Sequence, residues 1–122
     1  MQVTRNFHSE RDHMRCPCCN AFEWSEPFMR RVQIVRDIVG LPFYLDPSGG
    51  GFYRCRFYND SIGGATSSRH LYGSAMDVSK NGWSGAVKWI FEFEAMKIGL
   101  SIGRFDTYYH IDLRPGRPVS FP

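Results

Sequence analysis

Nothing in the chain approaches the roughly 18 consecutive apolar residues that a membrane span requires, and Met1 to Asp12 is polar and charged rather than signal-like. Both absences point away from a membrane partner and lead to the expectation of a soluble chain made in the cytoplasm. A concentrated basic run is also lacking. The net charge is only +3, and the 15 Lys and Arg are scattered from Arg5 to Arg117. A nucleic-acid footprint is usually more concentrated, so none is expected as a partner. The modest positive balance suits a weak pull toward an anionic surface. No internal repeat or low-complexity segment occurs, and Ser48-Gly49-Gly50-Gly51 is too short for a linker, reading instead as a mobile loop. Cysteine is sparse and lopsided: Cys16, Cys18 and Cys19 are crowded, and Cys55 stands alone. Neighbours such as Cys18 and Cys19 rarely bridge, so free, reduced thiols are expected. A structural metal site from Cys16, Cys19 and Cys55 with His8 or His13 is the alternative, but a second CxxC half is missing.

What is present suits one compact domain over residues 1–122, expected to be a monomer. At 122 residues, with 43% hydrophobic and 16% aromatic content, the chain has ample material for one core. Over 25–39 the spacing of Phe28, Val32, Val35 and Val39, widened by Ile34 and Ile38, predicts an amphipathic helix. Ser25 serves as its N-cap, Pro27 sits in its first turn, and Gly40 follows its last. A second helix is predicted over 84–98, capped by Ser84, with Val87, Ile90, Phe91, Glu94 and Ile98 in phase and Gly99 as the stop. Trp83 and Trp89 read as packing residues. Strand character appears at 42–45, 51–53, 71–78, 100–105 and 108–113. Two helices against a small, mostly antiparallel sheet make an α+β fold.

The chemistry concentrates in Ser68-Arg69-His70-Leu71-Tyr72-Gly73-Ser74-Ala75-Met76-Asp77 and Tyr109-His110-Ile111-Asp112-Leu113-Arg114. Two imidazoles and a carboxylate suffice for a catalytic zinc, which takes three protein ligands and keeps a fourth position for water. Along a strand, Gly73, Ala75 and Asp77 share one face, whose small residues leave room for a metal and a substrate. His70 has the opposite parity, so the chain must bend near Leu71 to Gly73, and glycine permits it. Alternation also puts His110, Asp112 and Arg114 on one face, in phase with Asp106 and Tyr108, while Tyr109, Ile111 and Leu113 point the other way.

These residues resemble the zinc peptidase family of D-alanyl-D-alanine carboxypeptidases, D-Ala-D-Ala dipeptidases and phage L-alanyl-D-glutamate endopeptidases, related in fold to the Hedgehog signalling domain. The motif Ser-x-His-x-x-Gly-x-Ala-x-Asp is matched at Ser68, His70, Gly73, Ala75 and Asp77. The likeness continues through Tyr53-Arg54-Cys55, Asn59, Ile62-Gly63-Gly64-Ala65 and Ile102-Gly103-Arg104-Phe105 to the closing His-x-Asp, covering roughly residues 7 to 115. It implies Zn²⁺ held by His70, Asp77 and His110, a carboxylate near His110 as general base, and peptidoglycan as the substrate and partner. Many relatives carry an acidic residue three positions before the last histidine, where this chain has Thr107. Asp106 and Asp112 are therefore rival bases. Asp112 is preferred for its same-face placement, with a role orienting a ligand as its alternative. An enlarged glycine loop also precedes Arg54, which is expected to polarise the scissile carbonyl or bind a substrate carboxylate. Ser68, Tyr108 and Arg114 are expected to contact substrate, and at most one or two of Tyr53, Tyr58, Tyr72, Tyr108 and Tyr109 to line the cleft.

The resulting expectation is metal-assisted hydrolysis of a bond in the stem peptide or cross-link, abolished by loss of either histidine and little affected by Thr107→Ala. By analogy with small relatives, the chain would be a phage lysis enzyme released through a holin-type pore. A zinc-containing binding or virion module that kept the ligands but lost turnover is the rival from a different class, supported by Thr107. A nucleic-acid-binding zinc protein built on Cys16, Cys18 and Cys19 is a third reading.

Overall fold

The computed structural model describes residues 1–122 as an α+β fold. A short hairpin of β1 (Gln2–Thr4) and β2 (Phe7–His8) leads into α1 (Glu26–Val39), then a short helix α2 (Arg56–Ser61) and a single 3₁₀ turn (Arg69–Tyr72). Strand β3 (Ala75–Ser79), helix α3 (Gly85–Lys97), and strands β4 (Ser101–Arg104), β5 (Tyr108–Asp112) and β6 (Ser120–Phe121) complete the chain. The four-stranded sheet runs β3-β5-β4-β6. Its first three strands are antiparallel, and β6 joins β4 in parallel. No helix is long and apolar enough to cross a membrane.

Both long helices begin and end on the residues their sequence marks. The Ser25 hydroxyl accepts from the Phe28 N–H and that of Ser84 from the Val87 N–H, each satisfying a donor that the first helical turn leaves free. Gly40, at φ 76°, closes α1 in the left-handed conformation, where its N–H reaches the Arg36 carbonyl. The buried stripe of α1 is narrower than its pattern predicts. Phe28, Met29, Val32 and Val35 are sealed, whereas Ile34 and Ile38 face solvent. On α3 only Phe91 and Ala95 are buried. Trp83 packs into the aromatic cluster with Phe43, Phe91 and Tyr109, but Trp89 is 66% exposed and stacks on Phe93 outside the core, so it is not a packing residue.

Strand alternation divides the sheet into two faces. Met76, Val78, Ile102, Tyr109 and Ile111 point into the core, joining the buried side chains of α1 and α3. Each fully buried large apolar side chain contributes about 1.5–3 kcal/mol, so this packing, rather than helix propensity, holds α1 and α3 to the sheet. Ala75, Asp77, His110, Asp112 and Gly103 lie on the opposite face, where the register sets Asp77 against His110 and His110 against Gly103.

Two predicted strands, 42–45 and 51–53, do not form as such. Their backbone instead flanks the free edge of β3: the Asp77 N–H donates to the Gly51 carbonyl at 2.8 Å and the Ser79 N–H to the Tyr44 carbonyl at 2.8 Å. The predicted strand from residue 71 begins only at Ala75, because 69–72 coils into the 3₁₀ turn. The glycine loop, read as mobile, is packed: Gly49 abuts Pro17, Gly50 abuts Tyr58, and Gly51 bonds to Asp77.

Glu92 ties α3 to the sheet, accepting from Arg104 Nη2 at 2.6 Å and Nε at 3.0 Å, and from the Tyr109 hydroxyl. Burial works to raise its carboxyl, but Arg104 outweighs that and holds it below the usual carboxylate range. A lowered folded-state pKa contributes stability that is present above the ordinary carboxylate pKa and lost as pH falls through the lowered value. Glu92→Gln should therefore reduce Tm at neutral pH, with a gap from wild type that narrows in acid. Thermal melts showing the same gap at both pH values would refute the coupling.

Candidate metal centre

His70, Asp77 and His110 come together on the face of the sheet away from the helices, with one ligand atom from each within 4.8 Å of the others. Asp77 and His110 face each other directly across β3 and β5. His70 reaches them because the chain turns sharply. The Ser68 hydroxyl accepts from the His70 N–H, capping the 3₁₀ turn, and Gly73 at φ 63° reverses the backbone into β3. The bend that strand parity demanded thus lies at Gly73, where the carbonyl also accepts from the Ser25 N–H.

Each imidazole is held by its far nitrogen. His70 Nδ1 donates to the Phe52 carbonyl at 2.6 Å, which leaves Nε2 turned toward Asp77 Oδ1 at 3.4 Å. His110 places Nδ1 at 2.9 Å from the same Asp77 oxygen and donates from Nε2 to Asp112 Oδ2 at 2.7 Å. Asp77 Oδ2 faces the Arg54 guanidinium at 3.5 Å. Burial works to raise the Asp77 carboxyl, but hydrogen bonds from His110 and His70 outweigh it and keep the group well below the ordinary range. Burial likewise works to lower His110, yet its bonds to Asp112 and Asp77 win and raise it to about 9. Two imidazole nitrogens and a carboxylate oxygen converge here, a donor set suited to a divalent cation, which would replace the proton that His110 Nδ1 shares with Asp77, and the second nitrogen of each ring is already oriented by an oxygen acceptor.

The residues around this trio divide sharply. Asp112 is 1% exposed and is gripped by Arg114, whose Nε and Nη2 donate at 2.8 and 2.6 Å. Burial raises its carboxyl, but Arg114 and His110 together bring it below the ordinary value. Asp106, by contrast, is exposed on the turn before β5 and lines a cleft of about 1310 Å³, together with Asp77, Arg54, Tyr58, Thr107 and Tyr108. Arg54 is fixed there by donating from Nε to the Gly50 carbonyl at 2.7 Å. The Ser68 hydroxyl caps the His70 N–H and Arg114 grips Asp112; like His70 and His110 themselves, neither is among the residues lining the cleft. Of the five tyrosines singled out, Tyr58 and Tyr108 line it. Tyr53 bonds to Glu23, Tyr109 to Glu92, and Tyr72 lies against the Arg69 guanidinium.

Sequence reasoning missed two contributors. The Phe52 carbonyl that orients His70 is a backbone group, which no residue type announces. Phe121, on the last strand, sets its ring 6.2 Å from that of His110 and fills the space over Gly103, where a Cβ would come within 2.4 Å of it. Only the parallel pairing of β6 with β4 brings it there.

A family model described as Peptidase M15 matches residues 4–112, nearly the whole chain. No curated protein matches it.

Proposed function

Since the chain belongs to the Peptidase M15 family, and is thus a metallopeptidase by descent, we propose that it uses zinc to hydrolyse a peptide bond in the stem peptide or cross-link of peptidoglycan. The convergence of His70, Asp77 and His110 beside an open cleft carries this reading. Bound by these three residues, zinc supplies a Lewis acid and lowers the pKa of water. The protein's own groups do the rest. His70 is fixed by Phe52, and the proton on His110 Nε2 is held by Asp112, so that each ring presents its other nitrogen to the site. Arg54 stands beside Asp77 in the cleft, placed to neutralise charge on a substrate carbonyl or carboxylate. The cleft lining sets Arg11, Arg54, Lys80 and Lys88 against Asp12, Asp46, Asp77 and Asp106, a polar surface of both signs open to an extended peptide.

Exposure favours Asp106 over Asp112 as the base in this reading. A general base must reach the substrate's water, and Asp106 opens on the cleft while Asp112 is enclosed by His110 and Arg114. In this reading Asp106 takes the proton from water and returns it to the leaving amine, and Asp112 positions His110. Asp106→Asn should lower kcat by about 100-fold or more with zinc content unchanged. Asp112→Asn should lower metal affinity by about 10- to 100-fold, with activity partly recovered at high zinc. Paired kinetics and metal titration separate the two, and the opposite pattern would restore Asp112 as the base.

The direct test is incubation of the protein with purified peptidoglycan, with and without a chelator and zinc add-back, followed by mass spectrometry of the new termini. Metal-dependent release of stem-peptide fragments by wild type but not by His110→Ala is expected. Stoichiometric zinc with no cleavage of any wall substrate would favour a binding module, the reading to which Thr107 in the cleft lends weight.

A further inference from the structure

The four cysteines, whose two segments meet where Cys18 and Cys55, 37 residues apart, approach each other, gather into a group separate from the histidine–aspartate trio. All four sulfurs lie within 4.8 Å of one another. Cys16 Sγ is 3.7 Å from Cys18 Sγ, which is 3.4 Å from Cys55 Sγ, and none of the four is in a disulfide. A tetrahedral zinc with Zn–S bonds of about 2.3 Å sets its sulfurs about 3.8 Å apart, so the spacing suits one ion held in common. A polynuclear iron–sulfur cluster, with each thiolate on iron at a separate corner, needs a wider ring.

The backbone is shaped for the same purpose. Residues 16–20 form a tight turn, closed by the Asn20 N–H on the Cys16 carbonyl and the Cys16 N–H on the Ala21 carbonyl, both at 2.9 Å, with Asn20 in the left-handed region at φ 62°. The turn carries three of the sulfurs. Two amides already point at sulfur: the Cys55 N–H approaches Cys16 Sγ at 3.4 Å and the Tyr58 N–H approaches Cys55 Sγ at 3.4 Å. Such bonds stabilise thiolate rather than thiol. The histidines that a mixed site would have used, His8 and His13, are not in the cluster, and Cys18 fills the fourth place.

We infer that Cys16, Cys18, Cys19 and Cys55 form a second, structural zinc site that clamps the N-terminal turn onto the segment bearing Arg54. Zinc enters as the divalent ion, the thiols bind as thiolates, and their protons are released to solvent. Four protein ligands leave no position for water, so this ion does no chemistry of its own. Its effect on the catalytic centre is positional. Cys55 follows Arg54 directly, and Phe52, whose carbonyl holds His70, lies three residues before it. Pro17, inside the turn, packs on Gly49 at the start of the same segment. The inference rests on the thiols alone and stands or falls apart from the peptidase reading.

Metal analysis of the full chain, purified with zinc, should give two zinc ions per molecule. His110→Ala should retain one, and Cys19→Ser should retain one. Because a cysteine variant could misfold, cobalt loading of the wild type and of His110→Ala provides the decisive readout. A near-ultraviolet thiolate-to-cobalt charge-transfer band should appear in both proteins with the same final intensity per molecule, reached at one equivalent in His110→Ala, since the histidine–aspartate centre contains no sulfur. Cobalt-loaded wild type without that band, or zinc-loaded native protein whose four thiols all react freely with a thiol reagent, would overturn the proposal. So would a denatured mass showing the cysteines paired as disulfides.

Discussion

Asp77→Ala is expected to lower kcat/KM on peptidoglycan fragments by about a thousandfold or more, equivalent to about 4 kcal/mol of transition-state stabilisation. Asp77 is the common point of the centre, with one oxygen facing both histidines at 3.4 and 2.9 Å and the other facing Arg54 at 3.5 Å. Truncating it removes a metal ligand and also leaves His70, His110 and the Arg54 guanidinium without the anion that balances them. Its backbone bond to Gly51 and its place in β3 remain, so the fold should survive. Circular dichroism unchanged, one zinc lost per chain and hydrolysis at background level would together bear this out. Activity within tenfold of wild type would remove Asp77 from the machinery.

Gly73→Ala should cost on the order of 3–5 kcal/mol, a large share of the stability of a domain this size. A Cβ there would lie 2.1 Å from the Glu23 carbonyl oxygen and 2.5 Å from the Trp24 Cα, both backbone atoms, and the residue sits at φ 63° besides. Neither neighbour can rotate aside, so the turn carrying His70 and the entry to α1 would have to separate. Gly40→Ala is the matched control. Gly40 is also left-handed, at φ 76°, but has nothing within 4 Å of its Cβ position, so only the conformational strain of about 1 kcal/mol applies. Urea melts of the two variants should therefore differ severalfold in lost stability. Equal losses would mean that conformation alone, not the close approach to Glu23, governs Gly73.

Local rules were legible wherever a residue acts on its own neighbours. Ser25 and Ser84 cap their helices because a hydroxyl at that position reaches an amide three residues on, whatever the rest of the chain does. Alternation placed His110 and Asp112 on one face of β5, and the parity mismatch of His70 required the bend that Gly73 makes. The exposed Ile34 and Ile38 show where periodicity fails, and the exposed Trp89 shows that a large aromatic need not pack in the core. A helical pattern states which side chains are apolar, but the width of the buried stripe depends on how much neighbouring structure exists to cover it. Likewise 42–45 and 51–53 have strand composition, yet each accepts only one backbone bond from β3, at the Tyr44 and Gly51 carbonyls, and one bond does not make a ladder.

The sequence by itself determined the fold class, both long helices, the strands that carry the centre, and the three residues that converge there, since these follow from capping, alternation and a motif of fixed spacing. Only the tertiary structure decided which nitrogen of each histidine is free, because the answer lies in the Phe52 carbonyl and in Asp112 rather than in the histidines. It also decided that Asp112 is enclosed while Asp106 opens on the cleft, a distinction of burial that residue type does not carry. The gathering of Cys55 with Cys16, Cys18 and Cys19 is the clearest case. A contact between segments so distant along the chain is set by how the whole molecule packs, and no local pattern encodes it.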